Sequence, residues 1–195
     1  MRKGESFDLE DMVRVGYNGV VCVEAGGPVP GLGCAGSGRI AAREELEQKG
    51  AYEKFQPYVV IYDVLGDGVC GGFSMPMRKG YADKVFIITS GESMSVYSAA
   101  NISMAVENFK SRGYASLGGF ILNKRNVKNE EEKAAELAAD FHSSVIAEID
   151  RSDLVSEAED MRKTVMEAFP DSTAAEQYRA LADKIAELCG MGEEK

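Results

Sequence analysis

Short apolar runs rich in β-branched residues alternate along this chain with segments of helical periodicity. The pattern predicts strands at 19–25, 58–63, 85–90, 118–123 and 144–149, and helices at 39–49, 93–111, 129–141 and 173–189. Ser37 is the expected N-cap of the first of these helices. Strand–helix alternation of this kind predicts an α/β fold: a mostly parallel sheet with flanking helices and right-handed crossovers.

Length and charge narrow the class of protein. The 195 residues contain no repeat or linker, so we expect one domain over 1–195 with a substantial core. The net charge of −10 argues against nucleic acid as a partner, because no basic face is available to neutralise phosphates. No apolar run approaches the ~20 residues that a membrane span needs, and the opening residues do not form a signal peptide. We therefore expect a cytoplasmic protein that does not bind membranes.

The glycines concentrate in two loops, at 26–38 and 66–72, and each loop contains a cysteine, Cys34 or Cys70. Glycine lets a backbone approach a ligand closely. Within the first loop GLGCAG matches the dinucleotide fingerprint, but Gly26–Pro30 separates it from the preceding strand, so that interpretation is disfavoured. The loop instead delivers Cys34 to the start of a helix, where partial positive charge stabilises a thiolate. The alternative is that Cys34 is a small buried residue.

The segment YVVIYDVLGD at 58–67 has the form of a Walker B strand. Asp63 ends the apolar run, where it would face the Mg²⁺ of a nucleotide, and Asp67 lies four residues further on between two glycines. The alternative is an aspartate in a turn that terminates the strand. The sequence contains no Walker A motif, G-x-x-x-x-G-K-[ST]. Because ligands of parallel sheets bind at the carboxyl ends of strands, Asn123 and the stretch 150–156 are expected at the same edge as these loops.

Two cysteines are too few for an iron–sulfur cluster, which usually takes four thiolates, unless a symmetric dimer supplies the other two. Cys22 is expected in the core, and Cys189 in packing or on the surface. His142 is the only histidine, which argues against a histidine-based metal site and a Ser-His-Asp triad. The methionines at two places are expected to pack a core or a subunit interface: Met75, Met77, Met94 and Met104.

Four strings together resemble the nitrogenase iron protein and its reductase relatives. They are VCVEAGGPVPGLGCAGSG, YDVLGDGVCGGFSMPMR, SGESMSVYSAANI and AEQYRALADKI, and the resemblance runs from Asp8 to Leu188. It implies a P-loop ATPase fold and a homodimer bridged by one 4Fe-4S cluster. It also implies electron transfer to a catalytic nitrogenase-like component, coupled to hydrolysis of MgATP, with a ferredoxin or flavodoxin as electron donor.

The resemblance assigns roles to residues whose motifs match. It implies that Cys34 and Cys70 ligate the cluster, that Asp63 lies on the Mg²⁺ side of the nucleotide, and that Asp67 is the switch residue. It likewise implies that Asn123 contacts the nucleotide and that Tyr178 lies near the adenine. Asp67 precedes Cys70 by three residues, so a shift of that segment with nucleotide state would move a cluster ligand.

The sequence departs from the family in three places. The opening strand, P-loop, first helix and switch I have no counterpart, so we expect a domain without its nucleotide-cradling front and inactive by itself. Ser37 replaces an arginine used in docking, and Ala174 stands where a polar contact is expected. Three functions therefore stay open: a reductase for nitrogen fixation, a related reductase for a tetrapyrrole or another substrate, or a non-catalytic binding module without ATPase activity.

Overall fold

The computed structural model describes residues 8–24, 36–64, 76–78 and 80–191, and for 36–41 it describes the backbone alone. The chain divides into two compact units, Met1–Met75 and Pro76–Lys195. Each unit has its own secondary structure. Whether residues 1–195 act as one domain stays a prediction.

The described part of the first unit contains a β-hairpin and three α-helices. Helix α1 (Leu9–Met12) leads into β1 (Val13–Val15), which pairs antiparallel with β2 (Val21–Val23). Helices α2 (Gly36–Gln48) and α3 (Ala51–Phe55) follow. A small core joins the hairpin to the helices through these residues: Leu9, Val13 and Ala51, with Met12, Val21, Leu46 and Phe55 packed against them.

In the second unit, the described residues form a three-stranded parallel sheet with helices around it. Its elements are β3 (Lys84–Thr89), α4 (Ser93–Lys110), β4 (Ser116–Asn123), α5 (Glu130–Asp140), β5 (Val145–Ile149), α6 (Asp153–Asp160), α7 (Val165–Ala168) and α8 (Thr173–Leu188). The strand order is β3–β4–β5. Central β4 is therefore the most buried strand, and Phe120 and Leu122 on it are fully buried. This architecture confirms the predicted α/β fold with a parallel sheet.

Two adjacent glycines let the neighbours of β4 approach it closely. A Cβ at Gly118 would lie 2.6 Å from the Phe86 ring of β3, and one at Gly119 would lie 2.4 Å from Cγ2 of Ile146 on β5. Gly119 also has a φ of 145°, which L side chains rarely adopt. Neither position has room for a side chain, because Phe86 of β3 and Ile146 of β5 already occupy the space beside the backbone.

Two of the predicted strands are wrong in detail. Residues 58–63 form no strand but an irregular segment, in which Tyr58 and Ile61 are 82% and 85% exposed. An apolar run becomes a strand only where a neighbouring strand satisfies its N–H and C=O groups, and within the described part of the chain none pairs with it. The predicted strand 19–25 is shortened to β2 and pairs in a hairpin, not in the parallel sheet.

Several local predictions also need correction. Helix α2 begins at Gly36, so Ser37 is a helical residue and not the N-cap. Cys22 is exposed and does not lie in the core, because side chains alternate along β2 and its neighbour Val21 is the residue that packs on the core. Cys189 is exposed after α8, as its surface alternative predicted. Met77 is buried as expected. Met94 and Met104, however, lie exposed on α4, because the opposite face of that helix packs on the sheet; the subunit-interface alternative for them stays a prediction.

Candidate functional site

The carboxyl edge of the parallel sheet gathers polar residues from three strands. Strands β3, β4 and β5 end at Thr89, Asn123 and Ile149, and Asn123 pairs in register with Ile149. The backbone N–H of Lys124 donates to the carbonyl of Ile149 (2.8 Å), so the pairing extends one residue beyond β4. Ligands of open α/β sheets bind at this edge. It is therefore the candidate functional site of the second unit.

The turn after β3 is held by short side-chain hydrogen bonds. Ser95 Oγ accepts from the backbone N–H of Ser90 (2.9 Å) and lies 3.1 Å from Thr89 Oγ1. Ser90 Oγ donates to Glu92 Oε2 (3.0 Å), and both Thr89 and Ser90 are buried. These contacts tie the end of β3 to the first turn of α4 through the Ser95 side chain. These hydrogen bonds fix the conformation of the turn that follows β3 at this edge of the sheet.

The start of α5 fits tightly against the same turn. The buried carboxylate of Glu130 accepts from the backbone N–H groups of Arg125 (2.9 Å) and Val127 (3.3 Å). Lys133 Nζ donates to the carbonyl of Gly91 (2.9 Å). A Cβ at Gly91 would lie 2.2 Å from Cβ and 2.7 Å from Cα of Glu130, so only glycine fits there. The loop between β4 and α5 is thereby tied to the end of β3.

Lys124 is the electrostatic centre of the edge. Its Nζ lies 2.7 Å from Glu148 Oε2, 2.8 Å from Glu131 Oε1 and 3.5 Å from Asp150 Oδ1. Hydrogen bonds to Glu131 and then Glu148 raise the pKa of Lys124 above its ordinary value, so the side chain is a fixed cation. Lys124 joins the end of β4 to β5 and to α5.

Asp150 carries the contacts on to the last helix. Its Oδ2 accepts from Gln177 Nε2 (2.8 Å), and its backbone N–H donates to Gln177 Oε1 (3.1 Å). The Gln177 amide is thus hydrogen-bonded to both the side chain and the backbone of Asp150, the residue that follows β5. We call the set Lys124, Glu131, Glu148, Asp150 and Gln177 the edge network.

The structure places two of the predicted site residues beside this network. Asn123 is exposed at the end of β4, directly before Lys124. Tyr178 follows Gln177 on α8 and is half-buried against Ala158, Val165 and Ala174. Ala174 is itself buried in that cluster, so it offers no polar contact at the position where one is expected.

The other predicted site residues belong to the first unit or lie outside the described residues. Asp63 is exposed in the irregular segment after α3, so it does not end a strand as predicted. Cys34, Asp67 and Cys70 all lie outside the described residues. The roles predicted for these four residues stay predictions.

Sequence reasoning missed Lys124, Gln177 and Glu130. A signal existed for Lys124: a lysine directly after one predicted strand, with Glu148 and Asp150 at the end of the next, predicts an ion pair between parallel neighbours. Gln177 had no comparable signal, because α8 meets β5 only through the tertiary fold. Glu130 had no signal either, because it is the first of three consecutive glutamates and only the folded chain buries it.

Cluster-binding residues cannot be assembled from the described side chains. Within the described ranges no group of three or more histidine, cysteine or acidic residues is arranged to hold a metal ion. The two thiols in those ranges, Cys22 and Cys189, are free and exposed. This leaves Cys34 and Cys70 as the chain's remaining thiols. In addition, no described helix has the length and apolarity to cross a membrane.

Comparison with known proteins gives consistent results. Residues 1–190 match the family model described as 4Fe-4S iron sulfur cluster binding proteins, NifH/frxC family. The chain is 48% identical over 186 residues to a nitrogenase iron protein of Methanospirillum hungatei and 43% identical over 183 residues to one of Methanococcus voltae. Each match covers 94% of this chain, which spans 65% and 66% of those relatives' length.

Solved structures are similar in fold. The MinC:MinD cell division protein complex of Aquifex aeolicus matches with a TM-score of 0.57 and 15% identity, over 93% of this chain and 68% of that one. At this identity the likeness concerns the fold alone. It agrees with a parallel α/β architecture.

Proposed function

Because the chain belongs to the NifH/frxC family of 4Fe-4S iron–sulfur cluster-binding proteins, we propose that it functions as part of an ATP-dependent reductase that donates electrons to a catalytic partner protein. The observation that carries the proposal is the family match over residues 1–190, which includes both cysteine loops. The proposed assembly is a cytoplasmic homodimer that receives electrons from a ferredoxin or flavodoxin.

Cys34 and Cys70 are the proposed cluster ligands, two from each subunit of the dimer. Their chemistry suits the group, since 4Fe-4S clusters are held by thiolates. When bound, the cluster supplies one-electron redox chemistry. The glycine-rich sequence around both cysteines supports close approach of backbone N–H groups, which stabilise thiolate charge.

Asn123 and Tyr178 are the proposed nucleotide contacts, and Asp63 and Asp67 the proposed Mg²⁺-side and switch residues. The position of Asn123 supports its role, because it lies exposed at the carboxyl edge of the parallel sheet. Tyr178 supports its role by offering an aromatic ring held on one side by an apolar cluster. Together they provide an amide and a ring, the two group types that commonly bind a purine base.

Reconstitution with iron and sulfide under anaerobic conditions tests the proposed ligands. We expect the broad visible absorption of a 4Fe-4S cluster, its loss in Cys34→Ala and in Cys70→Ala, and its retention in the matched controls Cys22→Ala and Cys189→Ala. About four irons per dimer are expected by metal analysis. Absorption that survives Cys34→Ala, or disappears equally in the controls, would contradict the assignment.

A second candidate function is reduction of a tetrapyrrole or another substrate by a nitrogenase-like system. Ser37 favours it, because the family usually has an arginine used in docking at that position. Side-by-side electron-transfer assays with a nitrogenase catalytic protein and with a tetrapyrrole-reducing one separate the two. A third candidate, a binding module without ATPase activity, predicts no MgATP hydrolysis with either partner.

A further inference from the structure

The two proposed nucleotide contacts lie next in sequence to members of the edge network. Asn123 precedes Lys124 at the end of β4, and Tyr178 follows Gln177 on α8. Asp150 connects the two sides: Oδ1 faces Lys124 Nζ at 3.5 Å and Oδ2 accepts from Gln177 Nε2 at 2.8 Å. A continuous polar chain therefore runs from the residue beside one contact to the residue beside the other.

Lys124 contacts each of the three carboxylates of the network. Three carboxylates converge on its ammonium group, and the four groups together carry a net charge of −2. The Lys124 side chain is only 18% exposed, so water compensates little for its loss. Without Lys124 the three carboxylates would repel one another, and Asp150 would lose the contact that holds it towards β4.

We propose that Lys124 is a positioning residue for recognition of the nucleotide base. It holds Asp150, and through Asp150 it holds Gln177, so that Asn123 and Tyr178 keep a fixed separation. This inference rests on the proposed function, in which those two residues contact the nucleotide. The role differs from that of the contacts themselves, because Lys124 acts through other residues.

A fixed amide discriminates between bases that a mobile one accepts. An asparagine can donate to N7 and accept from the 6-amino group of adenine, whereas hypoxanthine presents two acceptors at those positions. An amide held in one orientation therefore loses a hydrogen bond to hypoxanthine. A loosened amide can rotate and recover part of that loss, so loosening lowers selectivity between MgATP and MgITP.

The experiment is a calorimetric titration of the full chain with MgATP and with MgITP. Wild type is expected to prefer MgATP by about tenfold or more. In Lys124→Met the preference should fall to about twofold, with roughly tenfold weaker MgATP binding. Lys124→Arg, which keeps the cation, should restore the preference. Lys128→Met removes an exposed lysine from the same loop and is the matched control; it should leave the preference unchanged.

The outcomes separate this inference from the proposed function. If wild type binds both nucleotides equally, base recognition by Asn123 and Tyr178 is refuted and the inference falls with it; if it binds neither, nucleotide binding by this chain is refuted, and the inference falls with that. If wild type discriminates and Lys124→Met discriminates equally well, or weakens both nucleotides by the same factor, only the inference is overturned. Gln177→Ala breaks the same chain from its other end and should also lower the preference, which keeps the test valid if Lys124→Met does not fold.

Discussion

Replacing Gly91 by alanine should destabilise the second unit strongly, because the start of α5 occupies the space of the added methyl group. The new Cβ would lie 2.2 Å from Glu130 Cβ, whereas ordinary contacts begin near 3.4 Å, so the two segments must separate by about 1.2 Å. Glu130 cannot simply yield, since its carboxylate is held by two backbone N–H groups. The shift also stretches the Lys133–Gly91 hydrogen bond.

The expected cost combines these effects. Overpacking in a well-packed region costs about 1–3 kcal/mol, and weakening a hydrogen bond from a charged donor adds about 1.5–3 kcal/mol. For a chain of this size a loss of about 3–5 kcal/mol lowers the Tm by roughly 10 °C. Thermal denaturation followed by circular dichroism measures this directly.

Two further glycines provide controls that separate crowding from backbone strain. At Gly16 an added Cβ makes only ordinary contacts at 3.6 Å with an unstrained φ of −92°, so Gly16→Ala should leave the Tm unchanged. Gly113 has a φ of 72° and open space around it, so Gly113→Ala should cost only about 1–2 kcal/mol of strain. A Tm for Gly91→Ala within about 2 °C of wild type, or above that of Gly113→Ala, would refute the steric reasoning.

Three other outcomes are expected. Phe120 is fully buried on β4, so Phe120→Ala should lower the free energy of unfolding by about 3–5 kcal/mol in denaturant titrations. Ile88 is 66% exposed, and Ile88→Ala should lower it by about 0.5 kcal/mol or less. Similar losses in the two variants would contradict the assignment of the core. Because neighbouring carboxylates raise the pKa of Lys124, its stabilisation is fully present below the ordinary lysine pKa of about 10.4 and is lost as pH rises through the folded value. The stability difference between wild type and Lys124→Met should thus be constant from about pH 7 to 9 and shrink only above about pH 10.4; shrinkage near neutrality would count against the ion pairs. Cys22 and Cys189 should react with a thiol reagent in the native state, and serine at either position should remove one label; a slow, denaturant-dependent reaction would show that they are buried.

The sequence predicted the second unit well because its signals are local. Strands β3, β4 and β5 match the predicted strands at 85–90, 118–123 and 144–149 within two residues at each end. Apolar runs rich in β-branched residues are typical of strands in a parallel sheet that helices cover on both faces. The helices α4, α5 and α8 were equally predictable from their periodicity. The position of Asn123 at the sheet edge followed directly from these elements.

The first unit was less predictable, because strand formation depends on partners that a single segment does not specify. The run 58–63 carries the composition of a buried strand, yet it lies exposed with no pairing among the described strands. Cys22 was placed in a core for the same reason, although the short hairpin leaves its side chain exposed. Gln177 meets Asp150 only once β5 and α8 are assembled, so no local pattern predicts the contact.

The paired glycines of β4 have a consequence for how this sequence can diverge. Phe86 occupies the volume beside Gly118, and Ile146 occupies the volume beside Gly119. A side chain at either glycine is admissible only if its neighbour shrinks, so positions 86 and 118 form one coupled pair and 119 and 146 another. Substitutions in this strand should therefore accumulate as compensated pairs, with the changes on β3 or β5 coming first.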